Sequence, residues 1–207
     1  MSLRLPHRFA TTCTLAAVSC LLLAGEATAQ LCNNFTSSVV EKPRLFIGLL
    51  NRPPGTHKLA FSGTAPMPAA PALDLVATGV RFVVDDAQGD VILDATVPGG
   101  LWDPVQKRGW RDNGRGGFFY KNNGAPLNDG VFSVTVNELR AAPGTFQFRI
   151  KAKDGTYPVA ASDLPLRVTL VLDPPDAAVT GQCTEAQYVD ECRFNKSSST
   201  LRCKPAV

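Results

Sequence analysis

The chain reads as an all-β protein, a single antiparallel β-sandwich (Ig-like or jelly-roll-like) with a disulfide-stapled C-terminal tail. Three observations predict this. Apolar and polar residues alternate with period two over most of the chain, the pattern of half-buried strands. Turn signals break the alternation at short intervals, as in sandwiches and barrels. Beyond the N-terminal leader the cysteines are even in number, and three of the four, Cys183, Cys192 and Cys203, lie near the C-terminus.

Residues 1–29 have the form of a cleavable secretory signal peptide. Arg4, His7 and Arg8 precede an apolar run over 14–24, and Ala27-Thr28-Ala29 ends it with small residues. The run falls short of the ~20 apolar residues a membrane span needs. The rival readings are an uncleaved anchor and a lipoprotein starting at Cys20; the latter would leave Leu21, Leu22 and Leu23 exposed. Cleavage after Ala29 would leave 178 of the 207 residues, ordinary for one domain with a sizeable core. The leader holds Arg4, Arg8 and Glu26, so 19 basic and 17 acidic residues remain. So small a surplus points to neither nucleic acid nor a membrane surface. No later apolar stretch is long enough to span a bilayer, and the expected location is secreted or periplasmic.

The strand-like runs follow in order. Leu59 and Phe61 alternate with Lys58, Ala60 and Ser62, and Val80, Phe82 and Val84 come next. The run 91–97, then Phe118 and Tyr120, then Phe132, Val134 and Val136 continue the pattern. Phe146, Phe148 and Ile150 alternate with Gln147, Arg149 and Lys151, and Leu166, Val168, Leu170 and Leu172 close the series. Between them lie turn clusters at 86–90, 122–124, 128–130, 143–144 and 153–155. No window shows a helical stripe. Residues 30–175 are therefore one β-sandwich domain with an N-terminal lead, and 176–207 a Cys-rich tail packed on the same domain.

Four cysteines outside the leader, Cys32, Cys183, Cys192 and Cys203, imply two disulfides in an exported chain. Zinc is not expected, because 8 residues separate Cys183 from Cys192, 10 separate Cys192 from Cys203, and His57 is the one histidine outside the leader. Residues 193–195 and 200–202 read as two short strands around Lys196-Ser197-Ser198-Ser199. The ends of such a hairpin face each other, which favours Cys192–Cys203 and, by elimination, Cys32–Cys183. The alternative is Cys183–Cys192 with Cys32–Cys203.

Few residues carry chemistry. The carboxylates of 85–90 and Asp94 could hold Ca²⁺, but their spacing is not that of an EF-hand loop and suits a hairpin turn better. His57 stands alone in what reads as a turn, no Gly-x-Ser-x-Gly elbow occurs, and Glu41, Glu138, Glu185 and Glu191 cannot be paired from sequence. No metal or cofactor is expected. The candidate ligand-binding residues are Trp102, Trp110, Tyr120 and Arg111, a set in which aromatics could stack on sugar rings beside a cation. The competing reading puts the large aromatics in the core, and it is favoured for at least one tryptophan. The basic run Lys107, Arg108, Arg111 and Arg115 could dock an anionic glycan or lipid head group, but Asp103 and Asp112 dilute it, and a solvated loop face is the favoured reading.

An ordered set of segments resembles a family of exported, β-rich bacterial proteins with a Cys-containing C-terminal tail. The set comprises Val97-Pro98-Gly99-Gly100, Gly109-Trp110, Phe119-Tyr120-Lys121-Asn122, Lys151-Ala152-Lys153-Asp154-Gly155, Leu172-Asp173-Pro174-Pro175, Gly181-Gln182-Cys183, Cys192-Arg193-Phe194-Asn195 and Cys203-Lys204. The resemblance implies an exported β-rich fold and brings no activity or site residue. The expected function is a structural or binding role, with a glycan or another exported protein as partner. A carbohydrate-binding module is the first alternative, and a hydrolase with an unrecognised site the second.

Overall fold

The computed structural model describes Cys32 and residues 38–124 and 126–205; the leader at 1–29 lies outside these. The described residues form two sheets. The strands are β1 (Ser38–Val39), β2 (Glu41–Gly48), β3 (His57–Pro66), β4 (Val80–Asp85), β5 (Val91–Val97), β6 (Arg108–Asp112) and β7 (Gly117–Asn122). They continue as β8 (Val131–Leu139), β9 (Ala142–Gly155), β10 (Leu166–Val171), β11 (Cys183–Tyr188), β12 (Cys192–Phe194) and β13 (Thr200–Cys203). The five-stranded sheet runs β1-β11-β10-β4-β5, and the eight-stranded sheet β12-β13-β2-β3-β9-β8-β7-β6. The protein is a β-sandwich of two open sheets. Pairing is antiparallel except between β1 and β11, which run parallel.

The alternation read in the sequence is what closes the sandwich. Phe61, Phe148, Ile150, Val134 and Val136 from the larger sheet meet Val80, Phe82, Val84, Val168 and Leu170 from the smaller one, all buried. The rings of Phe61 and Phe82 lie 5.5 Å apart across the core. Each such side chain withdrawn from water stabilises by about 1.5–3 kcal/mol. Two four-residue helices lie between strands: α1 (Leu75–Thr78), whose first turn is capped by Asp74 accepting from Ala77 N–H, links β3 of the larger sheet to β4 of the smaller, and α2 (Ala177–Thr180) links β10 to β11.

Turn chemistry fixes the registers. Asp129 (φ 46°) and Gly130 (φ 82°) occupy the two central positions of the 128–131 turn, which Val131 N–H closes onto the Asn128 carbonyl at 2.8 Å. Two left-handed central residues make the turn that matches strand twist. Between β4 and β5, Asp86 Oδ1 accepts from the N–H groups of Gln88 and Asp90, both at 2.8 Å. The carboxylate run at 85–90 thus serves a turn, and Asp85 itself bonds Arg167.

Three features depart from the sequence reading. The residues from 176 onward are part of both sheets: β11 pairs with β10 in the smaller one, and β13 with β2 in the larger. Phe132 does not share a face with Val134, because a bulge between Val131 and Ser133 shifts the phase and turns Val131 inward instead. His57 opens β3 and is buried rather than lying in an exposed turn. The disulfides join Cys32 to Cys183 and Cys192 to Cys203. Cys192 and Cys203 are register partners in the β12–β13 hairpin, 4.0 Å apart at Cα. Cys32 and Cys183 form a small second cluster with Val171 and Ala177.

Candidate functional site

The aromatic set divides in two. Trp110, on β6, is fully buried, and its indole N–H donates to the Pro98 carbonyl at 2.9 Å. Tyr120, its register partner on β7, is buried beside it with ring centroids 5.3 Å apart. Burial raises the Tyr120 hydroxyl above its ordinary range. These two are core side chains, and no three-aromatic surface platform forms. The physical reason is the inward phase of β6 and β7, which buries Trp110, Phe118 and Tyr120 together.

Trp102 and Arg111 meet at the surface. Segment 100–103 is sewn to the outer edge of β6: Trp110 N–H donates to Gly100 carbonyl at 2.9 Å, and Trp102 N–H to Trp110 carbonyl at 2.8 Å. This sets the partly exposed Trp102 ring under the Arg111 guanidinium, 4.6 Å from its centroid. The acids of the loop are used locally. Asp103 Oδ1 accepts from Val105 and Gln106 N–H, and Asp112 Oδ1 from Gly114 N–H.

Arg111 belongs to a larger array. Because the eight-stranded sheet buries one phase, the other phase forms its outer face, and the registers place those residues in rows. One row runs Arg193, Arg202, Phe46, Ala60, Lys151, Ser133, Lys121. The next runs Arg44, Ser62, Arg149, Thr135, Phe119, Arg111, with Trp102 beyond. Lys58 and Lys153 pair on the other side of the first row. Nine cations therefore stand in three rows that contain no acid; Glu41, opposite Thr64, lies one row further out. All nine are exposed except Lys151, which is half-buried. Arg202 also sits 5.9 Å from the Phe46 ring centroid.

The acids lie elsewhere. Outward on the smaller sheet, Arg81 grips Asp94 through bonds of 2.8 and 2.6 Å, and Asp85 grips Arg167. A groove of about 1060 Å³ opens between β5 and the turns at 128–130 and 153–156, lined by Ile92, Asp94, Asp129, Phe132, Lys153 and Tyr157 among others. Asp154, also in its wall, lies 3.6 Å from Lys153. Asp94 and Asp154 are thus held by cations, not set in the apolar surroundings of a general acid.

Sequence reasoning picked out Trp102 and Arg111 but missed the array, whose members are spread over seven strands, three of them on β9. The signal lay in the outward phase of each run, where Lys58, Arg149 and Lys151 already stand. No family model, no curated protein and no solved structure matches this chain. Two disulfides point to an oxidising, extracytoplasmic compartment, and no helix among the described residues is long and apolar enough to cross a membrane.

Proposed function

We propose that this is a secreted or periplasmic binding protein that holds a polyanion on the outer face of its eight-stranded sheet. One observation carries the reading: nine cations share that face in three acid-free rows, in a chain whose net charge is only +3. Segregation of charge on that scale costs self-repulsion, which a bound polyanion relieves. Of the basic run at 107–115, Arg111 alone stands in these rows. The leader-like N-terminus and the two disulfides support export.

The test is the salt dependence of binding to dextran sulfate. Each cation that displaces a counterion adds about one to the slope of log affinity against log salt. The double variant Arg149→Gln/Lys151→Gln should bind more weakly, with a slope smaller by about 2. Binding that ignores salt, or a variant with unchanged slope, would refute the reading.

A further inference from the structure

Resting on that reading, we infer that the polyanion is a linear acidic polysaccharide, laid across the strands along the two cationic rows, with one sugar ring against Trp102 beside Arg111. The shape of the face selects a flexible chain over a planar surface. Neighbouring strands rotate by about 20–25°, so seven steps across eight strands accumulate roughly 140–175°. A sheet eight strands wide that twists in this way meets a flat bilayer, or a duplex that resists bending within a few base pairs, over only part of its width. A single polymer chain can follow all of it.

The spacing suits a chain with regularly repeated charge. Strands lie about 4.7–4.9 Å apart, so Arg44 and Arg149, two strands apart in one row, are separated by roughly 9.5 Å. Lys151 and Lys121, two strands apart in the other row, repeat that interval. This is the order of a disaccharide repeat. Beside the cations stand Ser62 and Thr135, half-buried hydroxyl side chains that can pair with sugar hydroxyls. Single-stranded nucleic acid would call for a series of exposed stacking aromatics. The two aromatics within the rows, Phe46 and Phe119, stand in different rows and on distant strands, not in series.

The end of the second row fits an acidic sugar in particular. A guanidinium over a partly exposed indole, 4.6 Å from its centroid, sets a carboxylate partner against an apolar ring surface. A uronic acid offers both complements in one residue: a carboxylate, and a sugar face lined with C–H groups. A phosphate chain or a lipid head group offers the charge alone.

The experiment compares polygalacturonate with inorganic polyphosphate, which is a linear polyanion without rings, using the full disulfide-bonded protein. Arg149→Gln/Lys151→Gln should weaken binding of both polymers by roughly 10- to 30-fold. Trp102→Ala should weaken polygalacturonate by several-fold and leave polyphosphate unchanged, and Trp102→Phe should restore most of the loss. These variants replace exposed or half-buried side chains, and a cooperative melting transition within a few degrees of the parent protein's confirms that the fold is intact. Equal effects of Trp102→Ala on the two polymers would overturn the polysaccharide assignment and leave the cationic face standing. So would preferential binding of duplex DNA, or of phosphatidylcholine–phosphatidylglycerol vesicles. Failure of every polyanion to bind would overturn both.

Discussion

The backbone N–H of Tyr157 donates to Nδ1 of His57 at 3.0 Å, deep in the sandwich. Nε2 of the same ring lies 3.2 Å from the Arg52 carbonyl, so Nδ1 is the accepting nitrogen and Nε2 the one that donates. The Tyr157 hydroxyl in turn donates to the Asp129 carbonyl at 2.9 Å. One buried histidine thus anchors a tyrosine that ties together the two Asp-Gly turns at 129–130 and 154–155.

That arrangement predicts a coupled pair. His57→Ala leaves a buried N–H without its acceptor and should cost about 1–3 kcal/mol in chemical denaturation. Gly155→Ala would set its new Cβ against the ring and hydroxyl of Tyr157, and overpacking of this kind costs about 1–3 kcal/mol. In a Tyr157→Ala background the same glycine substitution should cost little, giving a large coupling energy in a double-mutant cycle. Additive effects would show that the ring yields freely.

The two tryptophans should behave as different residues. Trp110→Ala empties a fully buried site and should cost about 3–5 kcal/mol. Trp102→Ala gives up a partly exposed ring and one cation–π contact, a loss of about 0.5–1 kcal/mol. Acrylamide quenching checks the same point: the emission remaining in Trp102→Phe should be blue-shifted and barely quenched. Strong quenching there would place Trp110 at the surface.

Glu185 predicts a pH effect. Its carboxyl is raised above the usual range, first by burial and then by Asp85, with Arg167 and the Thr169 hydroxyl opposing. A raised folded value means the folded protein holds that proton more tightly than the unfolded chain. The stabilisation is complete below the ordinary glutamate value of about 4.3 and is lost as pH rises through the raised one. At neutral pH the ionised carboxylate is therefore a liability. Glu185→Gln should raise the urea midpoint at neutral pH, and the gain should vanish near pH 3. A gain confined to acid would reverse the assignment.

These sites also show what the sequence made legible. Strands β3, β4, β5, β9 and β10 carry runs of alternating apolar residues, so period two exposes their existence and most of their buried phase. Strand β2 is hidden because Lys42, at φ 49°, and Pro43 sit in a bulge between Glu41 and Arg44 that breaks its period. Strand β11 is hidden because its buried phase includes Thr184, a polar side chain that donates to the Ser38 carbonyl at 2.8 Å. Trp102 and Trp110 lie eight residues apart in a Gly-rich stretch with no long alternation, so their opposite fates depend on how 100–103 pairs with β6. The cationic face is a property of strand order. Arg202 and Lys151 become members of one row only when β13, β2, β3 and β9 lie side by side.

The disulfides give the last prediction, and loop length decides it. Cys32–Cys183 spans 151 residues and Cys192–Cys203 spans 11. In the chain-entropy model, closing the longer loop stabilises by about 5 kcal/mol and the shorter by about 3. The longer bridge also fixes Cys32 beside Val171 and Ala177, burying a small cluster on the smaller sheet. The shorter one joins facing residues of a hairpin whose turn already has its own bonds: Asn195 Oδ1 accepts from Ser199 N–H at 2.9 Å and from Thr200 N–H at 3.1 Å. Cys32→Ser/Cys183→Ser should therefore lower the urea midpoint more than Cys192→Ser/Cys203→Ser does. The second pair should in turn loosen the end of the cationic face where Arg193 and Arg202 stand, weakening dextran sulfate binding while the first pair leaves it unchanged. Tryptic mapping without reductant reads the connectivity directly, since cleavage after Arg193 and Arg202 separates the peptides of Cys192 and Cys203. The reverse order of stability would mean that residual structure in the unfolded chain already brings Cys32 and Cys183 together.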